Sequence, residues 1–279
     1  MTTTRTGQVG TDEAAIRTAV SSRPRPAPPS PLAATMAFGW RGVLKIKHVP
    51  EQLLDSTVTP VLFTLLFTYM FGGAIAGDTG AYLDYILPGV LVMSVLFTTV
   101  YSGVAINTDR TKGVTDRFLS LPVWRPSPLM GSLLGDAVRY LVTAIVVVSV
   151  GLALGFRPDG GAAGVAAAVG LTIAFSFGLA WVFTAVGLLM RSPSAVLNGG
   201  FMVLFPITFL SNIFVEPETL PEWLEAVVDA NPISHLATAS RSLMAGSPDG
   251  SEIMIVLLVA AGLIAVFAPI TTRLYRRPA

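Results

Sequence analysis

The sequence has no cysteine, 2 histidines and only 13% charged residues over 279 positions. Without cysteine, a disulfide scaffold, a thiolate metal site and a cysteine nucleophile are all excluded. Neither histidine lies in an apolar stretch, since His48 precedes the first and His235 sits in a polar connection. A metal centre or a Ser–His protease buried among apolar helices therefore has no imidazole to use. Lysine is nearly absent too. Lys45, Lys47 and Lys112 are the whole set and none stands between Gly and Ser or Thr, so there is no G-x-x-x-x-G-K-[ST] phosphate loop and no ATP hydrolysis by that route. The charge that is present nearly cancels, 18 basic against 17 acidic residues, which leaves no basic field to hold nucleic acid by counterion release. The predominance of arginine over lysine, with abundant Ala, Gly and Val, points to a bacterium of high GC content.

What is abundant is apolar. Hydrophobic residues make up 52% of the chain and the mean hydropathy is +0.67, too much to cover with the charge available if the protein were a soluble globule. Charged residues divide the sequence into six uncharged runs, at 56–77, 85–108, 140–156, 160–190, 192–215 and 253–272. A transmembrane helix needs about 20 apolar residues, which each run supplies or approaches. The third is expected to begin near Met130, with Asp136 and Arg139 neutralising each other at its end. The fourth is expected to follow a Gly/Ala-rich connection over 160–164. Stretches such as 61–70 are apolar on all sides, which suits helices and not the alternating strands of a barrel. The fold class expected is an all-α membrane protein with six transmembrane helices.

Orientation follows from Lys and Arg. With the N-terminus inside, sixteen of the 18 basic residues lie on the cytoplasmic side and only Arg157 and Arg241 outside. Both termini and the 107–128 loop are then cytoplasmic, and the acidic 216–251 loop is extracellular. Three parts are expected. Residues 1–31, rich in Pro, Ser, Thr and Arg, read as a disordered cytoplasmic tail. Residues 32–55 read as an amphipathic connecting helix, with Leu32, Met36, Trp40, Val43 and Ile46 on one face and Arg41, Lys45 and His48 opposite, although Phe38 and Lys47 fall on the wrong faces. Residues 56–279 form the membrane domain. In the 107–128 loop, Val114, Phe118 and Leu121 would form an apolar ridge on a short helix, flanked by Asp116 and Arg117, and such a ridge fits a partner's groove. Outside, one short helix is expected over 221–231 and another from Ser234, as N-cap, to Met244, with Gly246 as C-cap. These would re-enter the outer leaflet, cap the bundle or simply pack on its surface.

The tract Lys112-Gly113-Val114-Thr115-Asp116-Arg117-Phe118-Leu119-Ser120-Leu121-Pro122-Val123, continuing through Arg125, Leu129, Gly131, Asp136 and Arg139, resembles ABC-2 type transporter permeases, in particular the daunorubicin/doxorubicin-resistance permeases of actinobacteria. The approach to the first span, Pro50-Glu51-Gln52-Leu53-Leu54-Asp55 leading to Pro60 and Phe71, is similar, as are Asn231-Pro232 and Ser234-His235. The likeness extends over about 32–277. It implies a bacterial cell-membrane half-transporter that works as a homodimer or with a close homologue and is driven by two copies of a separate ABC ATPase, on which ATP and Mg bind; no cofactor is expected on this chain. It also implies that the loop between spans two and three is a coupling helix, with Gly113, Asp116, Arg117, Phe118, Leu119 and Leu121 docking on the ATPase and Glu51 ending the connecting helix. An apolar drug, antibiotic or lipid needs a greasy pathway, which Phe97, Phe175, Phe201, Phe205 and Phe209 would supply. An exporter of polysaccharide or glycolipid is the alternative, against which stands the scarcity of Trp and Tyr in the spans. An ion-coupled secondary transporter would need titratable groups at membrane depth, and the runs have none.

Overall fold

In a computed structural model, the described residues are 29–47, 50–75 and 79–276, and their regular structure is helical apart from one 3-10 turn at Pro217–Thr219. Most of the expected tail lies outside them, as does His48. The helices are α1 (Pro31–Lys47), α2 (Pro50–Ile75), α3 (Thr79–Thr111), α4 (Val114–Leu119), α5 (Ser127–Leu154), α6 (Gly161–Leu189), α7 (Pro193–Phe209), α8 (Glu222–Asp229), α9 (Pro232–Met244) and α10 (Gly250–Tyr275). Four of them, α3, α5, α6 and α10, are long and apolar enough to cross a bilayer. The apolar part of α2, Val58–Met70, and the 17 residues of α7 are shorter.

α3 is the hub. It is apolar all round, the pattern of a helix buried on every side, and Ile86, Leu87, Val90, Leu91, Val95 and Leu96 are all at 0% exposure. α2, α5, α6, α7 and α9 surround it. At the edge, α10 packs on α6 through Val256, Ala260 and Thr271, whose hydroxyl donates to the Trp181 carbonyl at 3.2 Å, and turns Leu258 and Val266 outward.

α1 lies along α5 through small residues. A Cβ on Gly131 would stand 2.4 Å from the Phe38 Cβ and 2.7 Å from the Thr35 carbonyl oxygen, so only glycine permits this approach. The apolar face expected of this helix points away from the bundle, with Leu32, Met36 and Trp40 exposed. That is how an amphipathic helix lies on a leaflet. α1 ends at Lys47, so residues 50–55 belong to the same helix as the first apolar run.

Three local expectations are corrected. Residues 160–164 are not a connection, because α6 already starts at Gly161. Their small size serves contact: a Cβ on Gly164 would meet the Leu243 carbonyl oxygen of α9 at 2.3 Å, and Gly160 N–H donates to the Met244 carbonyl at 2.8 Å. Ser234 is not the cap of α9. Asn231 is, its side chain accepting from Ile233 N–H at 2.9 Å with Pro232 in the first turn, while the Ser234 hydroxyl accepts from Asn212 N–H at 3.3 Å. The fifth apolar run does not stay helical to residue 215, since α7 stops at Phe209 and the chain turns under α9.

Both ends of the bundle are held by side chains reaching main-chain carbonyls of other segments. At the α4 end, Asn107 Nδ2 donates to the carbonyls of Gly187 (2.8 Å) and Met190 (2.7 Å), and Arg110 donates to that of Leu188, closing the C-terminus of α6. At the α9 end, Arg241 donates from Nε to the Tyr85 carbonyl (2.9 Å) and from Nη2 to that of Asn212 (2.6 Å), while its guanidinium lies 4.0 Å over the Tyr85 ring. Arg157 likewise reaches the Leu152 and Phe156 carbonyls at the end of α5, at 3.0 and 2.8 Å. Arg110 and Arg157 thus stand at helix C-termini, where a cation satisfies terminal carbonyls and opposes the negative end of the helix dipole.

Candidate functional site

On α7, Phe201, Phe205 and Phe209 recur every four residues and so form one stripe. Phe97 of α3 meets two of them, at ring-centroid distances of 5.6 Å to Phe201 and 5.1 Å to Phe205. From Phe205 the contacts run on to Phe209 (5.6 Å), Phe214 (4.8 Å), Phe67 of α2 (4.7 Å) and Phe63 (5.7 Å). This file borders a cavity of about 220 Å³ between α2, α3 and α7, lined by Thr59, Pro60, Phe63, Met93, Ser94, Phe97, Thr98, Tyr101, Phe201 and Phe205. Among the described residues no charged side chain faces it. The hydroxyls of Ser94 and Thr98 turn back to carbonyls of their own helix, at 2.6 Å (Val90) and 2.9 Å (Ser94). The wall therefore offers ring faces, methyls and a thioether, a lining that accepts a flat apolar molecule by stacking and dispersion.

Four of the five aromatic residues picked out in the sequence thus come together, and Phe175 does not. It is buried at 2% in the main core on α6, away from the file. Phe63, Phe67 and Phe214 were missed. The four-residue spacing of Phe63 and Phe67 was the signal available for two of them; Phe214 joins only because the chain folds back after α7.

At the other candidate surface, Gly113 separates α3 from the six-residue α4 by taking φ +67°, a left-handed conformation in which its N–H donates to the Arg110 carbonyl at 3.0 Å. A non-glycine residue is strained there. Arg117 is exposed, Leu121 is 46% exposed and Trp124 47%. Phe118 departs from the expected outward ridge. It is half-buried, with its ring edge-to-face on Phe38 of α1 at 5.1 Å and the Arg41 guanidinium 4.7 Å above it. Arg41 also reaches Asp109 of α3 at 3.6 Å. The ridge that faces outward is thus Leu121 with Trp124, and Phe118 is the fastening of α4 to α1. The aromatic at position 38 had looked misplaced on the helical wheel because its partner lies in another element. Glu51 lies in the first turn of α2, and Asp116 and Leu119 on α4; their side chains are outside the described residues.

Among the described residues, no three Asp, Glu or His gather where they could hold a metal ion. The model of the ABC-2 type transporter family matches residues 33–245. A daunorubicin resistance ABC transporter permease protein of Streptomyces coeruleorubidus is 50% identical over 94% of this chain and 92% of its own length. A probable doxorubicin resistance ABC transporter permease protein of Mycobacterium tuberculosis is 26% identical over 81% of this chain and 82% of its own. An inner membrane transport permease of Escherichia coli is 25% identical over 78% and 82%. The family match spans most of the sequence, including α1, the α4 segment and the aromatic file, and the first relative is half identical over nearly the full length of both chains; the chain belongs to the ABC-2 type transporter family.

Proposed function

We propose that the chain is the permease subunit of an ATP-driven exporter in a bacterial cell membrane, moving a hydrophobic or amphipathic aromatic drug or antibiotic outward. The observation that carries this is the uncharged aromatic cavity between α2, α3 and α7. The cargo class agrees with the drug resistance in the names of two of the relatives. Six spans are counted, α2 and α7 joining the four long helices because they wall the same cavity and turn Leu62, Leu66, Met202 and Val203 outward. Both termini and α4 face the cytoplasm, on the charge asymmetry of the sequence.

The drive comes from a separate ABC ATPase, two copies per transporter, which holds ATP and Mg and docks on the 113–125 segment. Arg117, Leu121 and Trp124 face that subunit, and Phe118 passes the movement of α4 to α1. The permease works as a homodimer or with a close homologue. In one chain Phe205 and Phe209 are still 41% and 46% exposed, so the aromatic file has an open side that a second copy would close.

The test is reconstitution with the ATPase in vesicles, following a fluorescent aromatic drug with ATP in one sample and with only an imposed proton gradient in another. Nucleotide-dependent movement that falls in a Phe201→Ala, Phe205→Ala double variant is expected. Movement driven by the gradient without nucleotide would favour a secondary transporter and overturn the reading.

A further inference from the structure

At the α4 end, a second cavity of about 250 Å³ opens between α1, α3, α4, α5 and the end of α10. One of its walls is an arginine with bonds to spare. Arg139 Nη2 donates to Asp136 Oδ1 at 2.6 Å and both side chains are 7% exposed, yet Arg139 Nε and Nη1 have no hydrogen-bond partner among the described residues. Thr115 Oγ1, also buried and in this lining, has none either. Unsatisfied buried N–H groups of a guanidinium are costly, so such a group in a native protein calls for an occupant. The charged side chains facing the cavity are Arg41, Lys112 and Arg139 against Asp109 and Asp136. Arg41 meets Asp109 and Arg139 meets Asp136, so among the described side chains the lining carries one positive charge more than negative.

We propose that this cavity binds a phosphate-bearing anion. Arg139 and the Thr115 hydroxyl supply donors for phosphate oxygens once their side chains shift to meet the anion, and Lys112 adds a point charge. Ile106, Phe38 and Pro128 form an apolar flank beside them, as suits the glycerol and first methylenes of a lipid. On the orientation given under Proposed function the cavity lies at the inner leaflet, where basic pockets between helices take anionic headgroups. Such a ligand would touch α1, α4 and α5 together and so fix the fastening of Phe118 on α1.

The experiment uses the purified full chain in neutral detergent. Thermal unfolding is followed while phosphatidylglycerol, phosphatidylcholine or inorganic phosphate is titrated. Phosphatidylglycerol is expected to raise the unfolding temperature and phosphatidylcholine not. A response to inorganic phosphate as well assigns the site to soluble phosphate, and a response to phosphatidylglycerol alone assigns it to the lipid. The Asp136→Asn, Arg139→Gln double variant keeps a neutral pair and avoids a lone buried charge. A Lys112→Ala, Thr115→Val variant serves if that one does not fold. Each is expected to raise the half-saturating concentration about tenfold or more, as hydrogen bonds to charged groups are strong. Equal shifts with the two lipids and none with phosphate, or unchanged half-saturation in the variants that fold, overturns the proposal. Membrane orientation and drug transport are measured separately, so their failure is distinguishable from this one.

Discussion

Single residues at the ends of helices carry much of what holds this bundle in one arrangement. Arg241 is the clearest case, since its guanidinium serves the carbonyls of Tyr85 and Asn212 and stacks on the Tyr85 ring. Arg241→Gln is expected to destabilise the chain by ~3 kcal/mol or more, because hydrogen bonds to a charged group contribute about 1.5–3 kcal/mol each. Arg241→Lys recovers only part, an ammonium being unable to present the same fork. Unfolding in detergent, read by tryptophan fluorescence, checks both. Gly113→Ala places a Cβ at φ +67°, which costs roughly 1–2 kcal/mol in the left-handed region, and it is expected to lower ATPase coupling more than cargo binding. Asp249 caps α10, and bonds from the Ser251 hydroxyl and the N–H groups of Ser251 and Glu252 hold its carboxyl below the ordinary carboxylate value. A depressed folded pKa means the contribution is complete above the unfolded value of 3.8 and is lost as pH falls through the folded one. The stability gap between the wild type and Asp249→Ala is therefore expected to be widest near neutral pH and to close in acid, which a series of melts between pH 7 and pH 2 would show.

Among the elements, α1 and α4 meet through Phe38, Arg41 and Phe118, the contact through which the proposed function passes motion between them. The Phe38–Phe118 edge-to-face contact is expected to give a coupling energy of about 0.5–1.5 kcal/mol in a double-mutant cycle of the two alanine variants. Phe118→Ala should also lower the drug-stimulated ATPase rate of the reconstituted complex even where the ATPase still co-purifies; an unchanged rate would mean that α4 transmits nothing through α1. Much of this layer was legible in the sequence, since the uncharged runs coincide with α2, α3, α5, α6, α7 and α10, and the apolar spacing at 114 and 118 marked α4. What was not legible depended on contacts between distant segments. Glycines at 160 and 164 read as a Gly/Ala-rich connection, whereas Leu243 packs against them, and Phe38 read as a flaw in an amphipathic wheel, whereas Phe118 is its partner. Phe97 and Phe175 looked alike in the sequence, and only the packing of α3 on α7 distinguishes Phe97, which joins the aromatic file, from Phe175, which does not.

For the molecule as a whole, the absence of cysteine makes the topology directly testable. Single cysteines replacing Ser120 and Ser247 are expected to react differently with an impermeant thiol reagent on intact cells, position 247 being labelled and position 120 protected until the membrane is opened. The reverse pattern would invert the orientation and move α4 away from any cytoplasmic partner.

The central position of α3 also bears on how the protein is made. It is among the first helices to leave the ribosome, yet Asn107 finds its acceptors in Gly187 and Met190 only after 80 and 83 further residues, and Tyr82 donates to Phe214 across 132. Until α6, α7 and α9 arrive, a helix carrying Ser94, Thr98, Thr99, Ser102 and Asn107 must wait in or beside the bilayer with the Asn107 amide short of its acceptors. Chains that stop short of residue 187 would leave that amide without either of its protein acceptors and α3 without the tie that joins its end to α6.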